Sequence, residues 1–151
     1  MQWAFLGSFL FYILVFWLNM GPIAVKSRIM LPEGNLRANM YIFKLATENP
    51  EESSAIILCE EGDLGLYNRA NRGLYNFIES CLPVIVAAPL TSFVYTLPTF
   101  ILIVIYSFGR ILYQTGYTKH GFGGHFPGFF LERLGMSALA GLLFVSTLKT
   151  F

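Results

Sequence analysis

Four apolar runs, each long enough to cross a bilayer, constrain this chain more than anything else in its sequence. About 20 helical residues at 1.5 Å per residue span a hydrocarbon core of ~30 Å. Residues 3–20 and 74–92 meet that length directly, as does 98–107 extended to 117. Residues 129–148 meet it with Glu132 and Arg133 near the start of the run. Charged residues make up only 13% of the chain, against about 25% in an ordinary soluble domain, so these runs are not surface helices of a water-soluble fold. The expectation is an all-α protein, a single four-transmembrane-helix up-and-down bundle in a lipid bilayer. Its helices are placed at about 3–28, 66–92, 98–117 and 129–148.

The basic residues orient that bundle. Eight of the ten Lys and Arg residues (Lys26, Arg28, Arg37, Lys44, Arg69, Arg72, Arg110 and Lys119) fall in or beside the first and third loops. The positive-inside rule then puts those loops on the cytoplasmic side, with both termini opposite. A net charge of +1 argues neither for nor against nucleic acid; for a bundle in the bilayer no nucleic-acid partner is expected. Met1-Gln2-Trp3 leads straight into apolar sequence with no basic n-region, which reads as an uncleaved first helix. Gly21-Pro22 predicts a kink or short break near its end. The polar stretch 29–65 is too long for a structureless connection in a compact domain. Its apolar islands at 40–45 and 55–58 predict a short strand or hairpin on the membrane face. Glu48, Glu51 and Glu52 read as a solvated face. Cys59 lies in that loop and Cys81 in the second helix, so no disulfide is expected.

Polar residues inside the membrane helices carry the chemistry. At 100° per residue, Arg69, Arg72, Asn76, Glu79 and Pro83 share an arc of about 80° on the second helix. Tyr106, Arg110, Tyr113 and Tyr117 share a face of the third. Charges in a membrane helix cost roughly 2.5–3.5 kcal/mol each near the centre and therefore face a cavity or a partner. Guanidinium forks suit carboxylates, Glu79 suits an ammonium or pairs with Arg72 or Arg110, and a phenol beside a thiol stabilises its thiolate. Residue types alone leave two readings open. One is a pocket for a small zwitterionic, peptide-like ligand; the other is an ion-pair network that only fixes helix register. Small residues Gly135, Ser137, Ala138, Ala140 and Gly141 predict close helix approach along the fourth helix. His120 and His125 have no Cys or carboxylate at ligand spacing, so no metal site is expected. The glycine-rich stretch 121–128 lacks the context of a phosphate loop and reads as a connection.

The run 69–83, with Arg69, Arg72, Asn76, Glu79 and Pro83, resembles the second-helix signature of the MAPEG superfamily. These are membrane-associated proteins of eicosanoid and glutathione metabolism, among them microsomal glutathione transferases, leukotriene C4 synthase and microsomal prostaglandin E synthase. Gly109-Arg110, Tyr113, Gly116 and Tyr117 are similar to the third-helix pattern of the same superfamily. The resemblance implies a homotrimer of four-helix subunits with glutathione held between neighbours. Arg72, Asn76, Glu79, Arg110, Tyr113 and Tyr117 would contact that glutathione. It also implies a glutathione-dependent transferase or peroxidase acting on lipophilic electrophiles that enter from the bilayer, with the endoplasmic reticulum as the expected membrane.

Catalytic members of the superfamily carry an arginine in the loop soon after the last tyrosine. Residues 118–130 hold Lys119, His120 and His125 but no arginine, and Gly73 stands where alanine is usual. The expected catalytic set is therefore Arg110, Tyr113 and Lys119, with His120 or His125 as other stand-ins for the arginine. The missing arginine, the enlarged first loop and Ser80 at a tyrosine position support a second expectation. This is a non-catalytic, structural or accessory subunit among other membrane subunits, with the mitochondrial inner membrane as the alternative location.

Overall fold

The computed structural model describes residues 1–29, 41–45 and 56–149. In chain order these form α1 (Gln2–Ile29), β1 (Phe43–Leu45), β2 (Ile56–Leu58), α2 (Gly62–Val94), α3 (Thr96–His120) and α4 (Phe126–Leu148). All four helices are long and apolar enough to cross a membrane, as the hydropathy predicts. Glu48, Glu51 and Glu52, with Arg37, lie outside the described residues.

Helix lengths exceed the bilayer for a reason. The 33 residues of α2 run about 50 Å at 1.5 Å each, some 20 Å more than the hydrocarbon core. Its far end is fixed because Tyr95 alone separates it from α3, with the Tyr95 amide donating to Thr91 O at 2.7 Å and the Thr99 amide to Tyr95 O at 2.9 Å. The surplus therefore projects at the other end, where Gly62 starts the helix four residues earlier than hydropathy suggests. α1 also runs on past Pro22 to Ile29 as one helix, so the break predicted at Gly21-Pro22 does not end it.

The predicted hairpin is present on that projecting end. β1 and β2 pair antiparallel with Phe43 opposite Leu58 and Leu45 opposite Ile56, and the Cys59 amide extends the ladder to Ile42 O at 3.0 Å. A two-stranded sheet is marginal alone; here Asn68 of α2, 1% exposed, pins it. Its carboxamide accepts from the Ile42 amide at 2.8 Å and donates to Ile42 O at 2.7 Å and Cys59 O at 2.8 Å. Both cysteines are free.

Within the bundle, α2 and α3 each touch the other three helices. Leu14, Leu18, Phe77, Val84, Ala87, Tyr106 and Leu139 form the core between them. Large apolar side chains such as Phe5, Phe9, Phe16, Leu82, Leu90 and Phe93 stand exposed on the outer faces, the distribution a lipid solvent requires. Several hydroxyls inside the helices bond their own backbone, as Ser92 does with Ala88 O at 2.7 Å and Thr115 with Ile111 O at 2.8 Å. Fully buried Thr99 and Thr91 pair across α2 and α3 at 3.0 Å.

The closest helix contact is α3 on α4, made by glycines. A Cβ on Gly109 would sit 2.5 Å from the Glu132 amide nitrogen, and one on Gly135 would sit 3.1 Å from the Tyr106 nitrogen. A Cβ on Gly128 would overlap the Tyr113 nitrogen and lie 2.6 Å from Gly109 O. With no hydrophobic drive between helices in lipid, such backbone contact holds them together. Gly128 and Gly135 carry the approach that composition assigned to α4 as a whole; Gly141 faces open space.

Two measurements check this account. Gly128→Val should lower stability by about 1–3 kcal/mol through overpacking, read as an earlier thermal unfolding midpoint in detergent, whereas Gly141→Ala should not lower it. Asn68→Ala should leave the bundle melting as before but expose the hairpin to limited proteolysis at least severalfold faster.

Candidate functional site

The polar residues of α2 and α3 meet at the end of the bundle where α2 projects. The centre of that meeting is Arg110, whose side chain is 0% exposed. Its Nη1 donates to Glu132 Oε2 of α4 at 2.5 Å and to Asn76 Oδ1 of α2 at 3.0 Å, while Nη2 donates to Gly73 O at 3.3 Å. The guanidinium carbon also lies 4.6 Å from the Tyr113 ring centroid and 5.3 Å from that of Phe77. Arg110 thus ties three helices together. Glu132, also 0% exposed, is the partner that sequence reasoning missed. Its signal was there: a lone acid in an apolar helix requires a cation.

Gly73 has a structural reason to lack a side chain. Gln114 of α3 donates from Nε2 to Ala70 O at 2.9 Å, and its carboxamide occupies the space a Cβ on Gly73 would need. The glycine carbonyl remains open to Arg110 from the other side. Gly21 of α1 closes on the same carboxamide, with a Cβ there 3.3 Å from Nε2. One glutamine thereby joins α1, α2 and α3.

Arg72 and Glu79 behave differently. They approach each other at 4.0 Å with side chains 52% and 55% exposed, so they pair weakly and leave both charges able to meet a ligand. Arg72 also lies against the Tyr41 phenol, ahead of β1. Arg69 clamps the hairpin to α3, donating from Nε to Thr118 O at 3.1 Å and from Nη1 to Glu60 O at 2.5 Å. Beside this clamp is a cavity of about 290 Å³ lined by Cys59, Glu60, Asn68, Arg69, Arg72 and Tyr117, with Gly121 and Phe122 at its edge. Glycine at 121 is required by its φ of +70°, which ends α3 with the amide on Tyr117 O at 2.9 Å and turns the chain back toward the bundle.

Behind the cavity stands a cluster of rings. Tyr113 stacks on Tyr117 with centroids 6.1 Å apart, and His125, at the start of α4, lies 5.0 Å from Tyr113 and 5.5 Å from Tyr117. Of the residues expected to form a site, Asn76, Arg110 and Tyr113 are therefore brought together in the interior. Arg72 and Tyr117 line the cavity, Glu79 opens outward from Arg72, and Lys119 and His120 stand exposed at the end of α3. The two readings of the polar faces are divided between these groups: Arg110 belongs to a register-fixing network, whereas Arg72 and Glu79 remain open.

Four apolar helices of membrane-crossing length, with basic, amide, acidic and phenolic groups gathered at one end of the second and third, define an integral membrane protein. The chain belongs to the MAPEG family, whose model matches residues 3–146. That makes it a membrane protein of the glutathione transferase and eicosanoid synthesis family, whose members generally use glutathione. No curated protein and no solved structure matches the chain.

The buried pair generates a prediction. Glu132→Ala should destabilise the protein by about 3–5 kcal/mol, because it strands a buried guanidinium. Replacing both members, as Arg110→Leu with Glu132→Leu, should recover much of that loss. Thermal unfolding of the three variants in the same detergent separates the outcomes.

Proposed function

We propose that this protein binds glutathione at the Arg72–Glu79–Tyr117 end of the bundle and uses its thiol on lipophilic electrophiles, as a transferase or peroxidase. The observation that carries this reading is the exposed, weakly engaged Arg72–Glu79 pair at 4.0 Å on a membrane helix. A zwitterionic tripeptide matches it group for group. The Arg72 fork takes a carboxylate, Glu79 takes the ammonium, and Asn76 bonds the peptide amide. Tyr117 and Tyr113 approach the sulfur, with Arg110 against the Tyr113 ring and Lys119 at the rim as a further cation.

Glu79, half-exposed on the part of α2 that spans the hydrocarbon, does not stand against lipid at the cost such a charge carries. A homotrimer, with each ligand covered by the neighbouring subunit, would remove that cost. The apolar outer faces would admit the second substrate from the bilayer, and the endoplasmic reticulum is the membrane we assign.

One observation favours a second reading, a non-catalytic accessory subunit of a larger membrane complex, for which the mitochondrial inner membrane is the alternative location. Arg110 is sealed from solvent by Glu132, Asn76 and Gly73, so a residue expected to serve the ligand is occupied holding helices.

The deciding experiment titrates the detergent-purified protein with glutathione while following thiolate absorbance in the ultraviolet and turnover of an aryl halide. The expected result is saturable binding with turnover, weakened roughly tenfold or more by Arg72→Ala through loss of a charge-assisted bond. No binding would leave the accessory reading.

A further inference from the structure

Glutathione chemistry needs the thiol as its thiolate, and the chain has no arginine between residues 118 and 130 to stabilise one by charge. Three groups there can hold positive charge. Lys119 and His120 end α3 with exposed side chains. His125 is different, because the turn that Gly121 (φ +70°) and Gly123 (φ +96°) permit folds it back over the tyrosines.

Its surroundings are specific. The imidazole lies among four rings, those of Tyr113, Tyr117, Phe122 and Phe129, at centroid distances of 5.0, 5.5, 5.7 and 6.3 Å. Its Nδ1 is buried and has no hydrogen-bond partner among the described residues. A polar ring atom removed from water and left unpaired is costly and calls for an explanation, of which a catalytic role is one.

We propose that His125 is the catalytic base of this site, which rests on the glutathione reading above. The S–H proton of glutathione passes to the imidazole, leaving a thiolate–imidazolium pair. The sulfur lone pair then forms the new bond to the electrophilic carbon, and the leaving group departs with its bonding electrons. The imidazolium returns its proton to water. To accept that proton the imidazole must be uncharged before the transfer, a form its aromatic surroundings tolerate. After it, the ring faces favour the cation and the thiolate lies beside its counter-charge.

The test uses the full-length purified protein, glutathione and an aryl halide. His125→Gln should bind glutathione within about threefold of the parent, yet lose most of the thiolate absorbance and roughly 100-fold in turnover, the usual range for a general base. His125→Arg, a permanent cation that cannot accept a proton, should not restore the thiolate absorbance, and restoration would overturn the proposal. Full thiolate absorbance in His125→Gln overturns the proposal, as does its loss in Lys119→Ala alone. A parent that binds glutathione without forming a thiolate overturns it too, while leaving the binding site intact; a parent that binds none overturns both readings.

Should His125→Gln fail to fold, the parent chain supplies the answer, because it holds only two histidines. Nitrogen-15 spectra of the histidine rings, assigned with His120→Ala, should show His125 converting to imidazolium when glutathione is added. An unchanged His125 ring in saturated protein would overturn the assignment.

Discussion

The guanidinium of Arg110 is a permanent charge removed from water inside a bundle that is itself removed from water, and the arrangement of three helices follows from what that charge requires. Glu132 must come from α4, Asn76 and the Gly73 carbonyl from α2, and each must arrive at one depth in the membrane. A slip of α4 by one residue along α3 would separate the two charges and also collide the glycine-lined backbones of 109 with 132 and 128 with 113. Charge pairing and steric fit thus specify the same register by independent means. A buried ion pair is weak evidence of net stability, and its value here lies in that specification.

Around this fixed point the site is layered. The innermost groups, Arg110, Asn76 and Glu132, are engaged with one another. The next layer, Tyr113, Tyr117 and His125, is joined by ring contacts. The outermost, Arg72 and Glu79, is open. The gradient runs from sealed to open side chains, so a change at Glu132 would act on folding and, on the proposed glutathione reading, one at Arg72 on binding. Tyr113 takes part in both regimes, since one side of its environment is the Arg110 guanidinium and another the His125 ring.

Much of this was legible in the amino-acid order. Apolar run length gives four spans because lipid leaves the backbone no other solution. The 3.6-residue period gives the shared face of Arg72, Asn76 and Glu79 and that of Arg110, Tyr113 and Tyr117. The apolar islands of the first loop locate the hairpin. Family membership was legible in those same residues. The pairing of Arg110 was not, since Glu79 lies on a neighbouring helix just as Glu132 does, and only the rotation of α4 about its axis decides between them. That rotation is not written in a helix carrying small residues at several phases, which is also why Gly141 looked like a contact and Gly128 carried one. The position of His125 depended on two glycines with positive φ, a property of the folded turn rather than of residue spacing.

The Asn68 clasp has an evolutionary consequence. Its three hydrogen bonds grip Ile42 and Cys59, residues that flank the two strands, and so secure the base of the hairpin regardless of how much chain lies between them. Doubling the length of such a closed segment adds only about 0.6 kcal/mol of closure entropy. The first loop can therefore gain or lose residues between descendants while Glu60, Arg69 and the cavity wall stay in place.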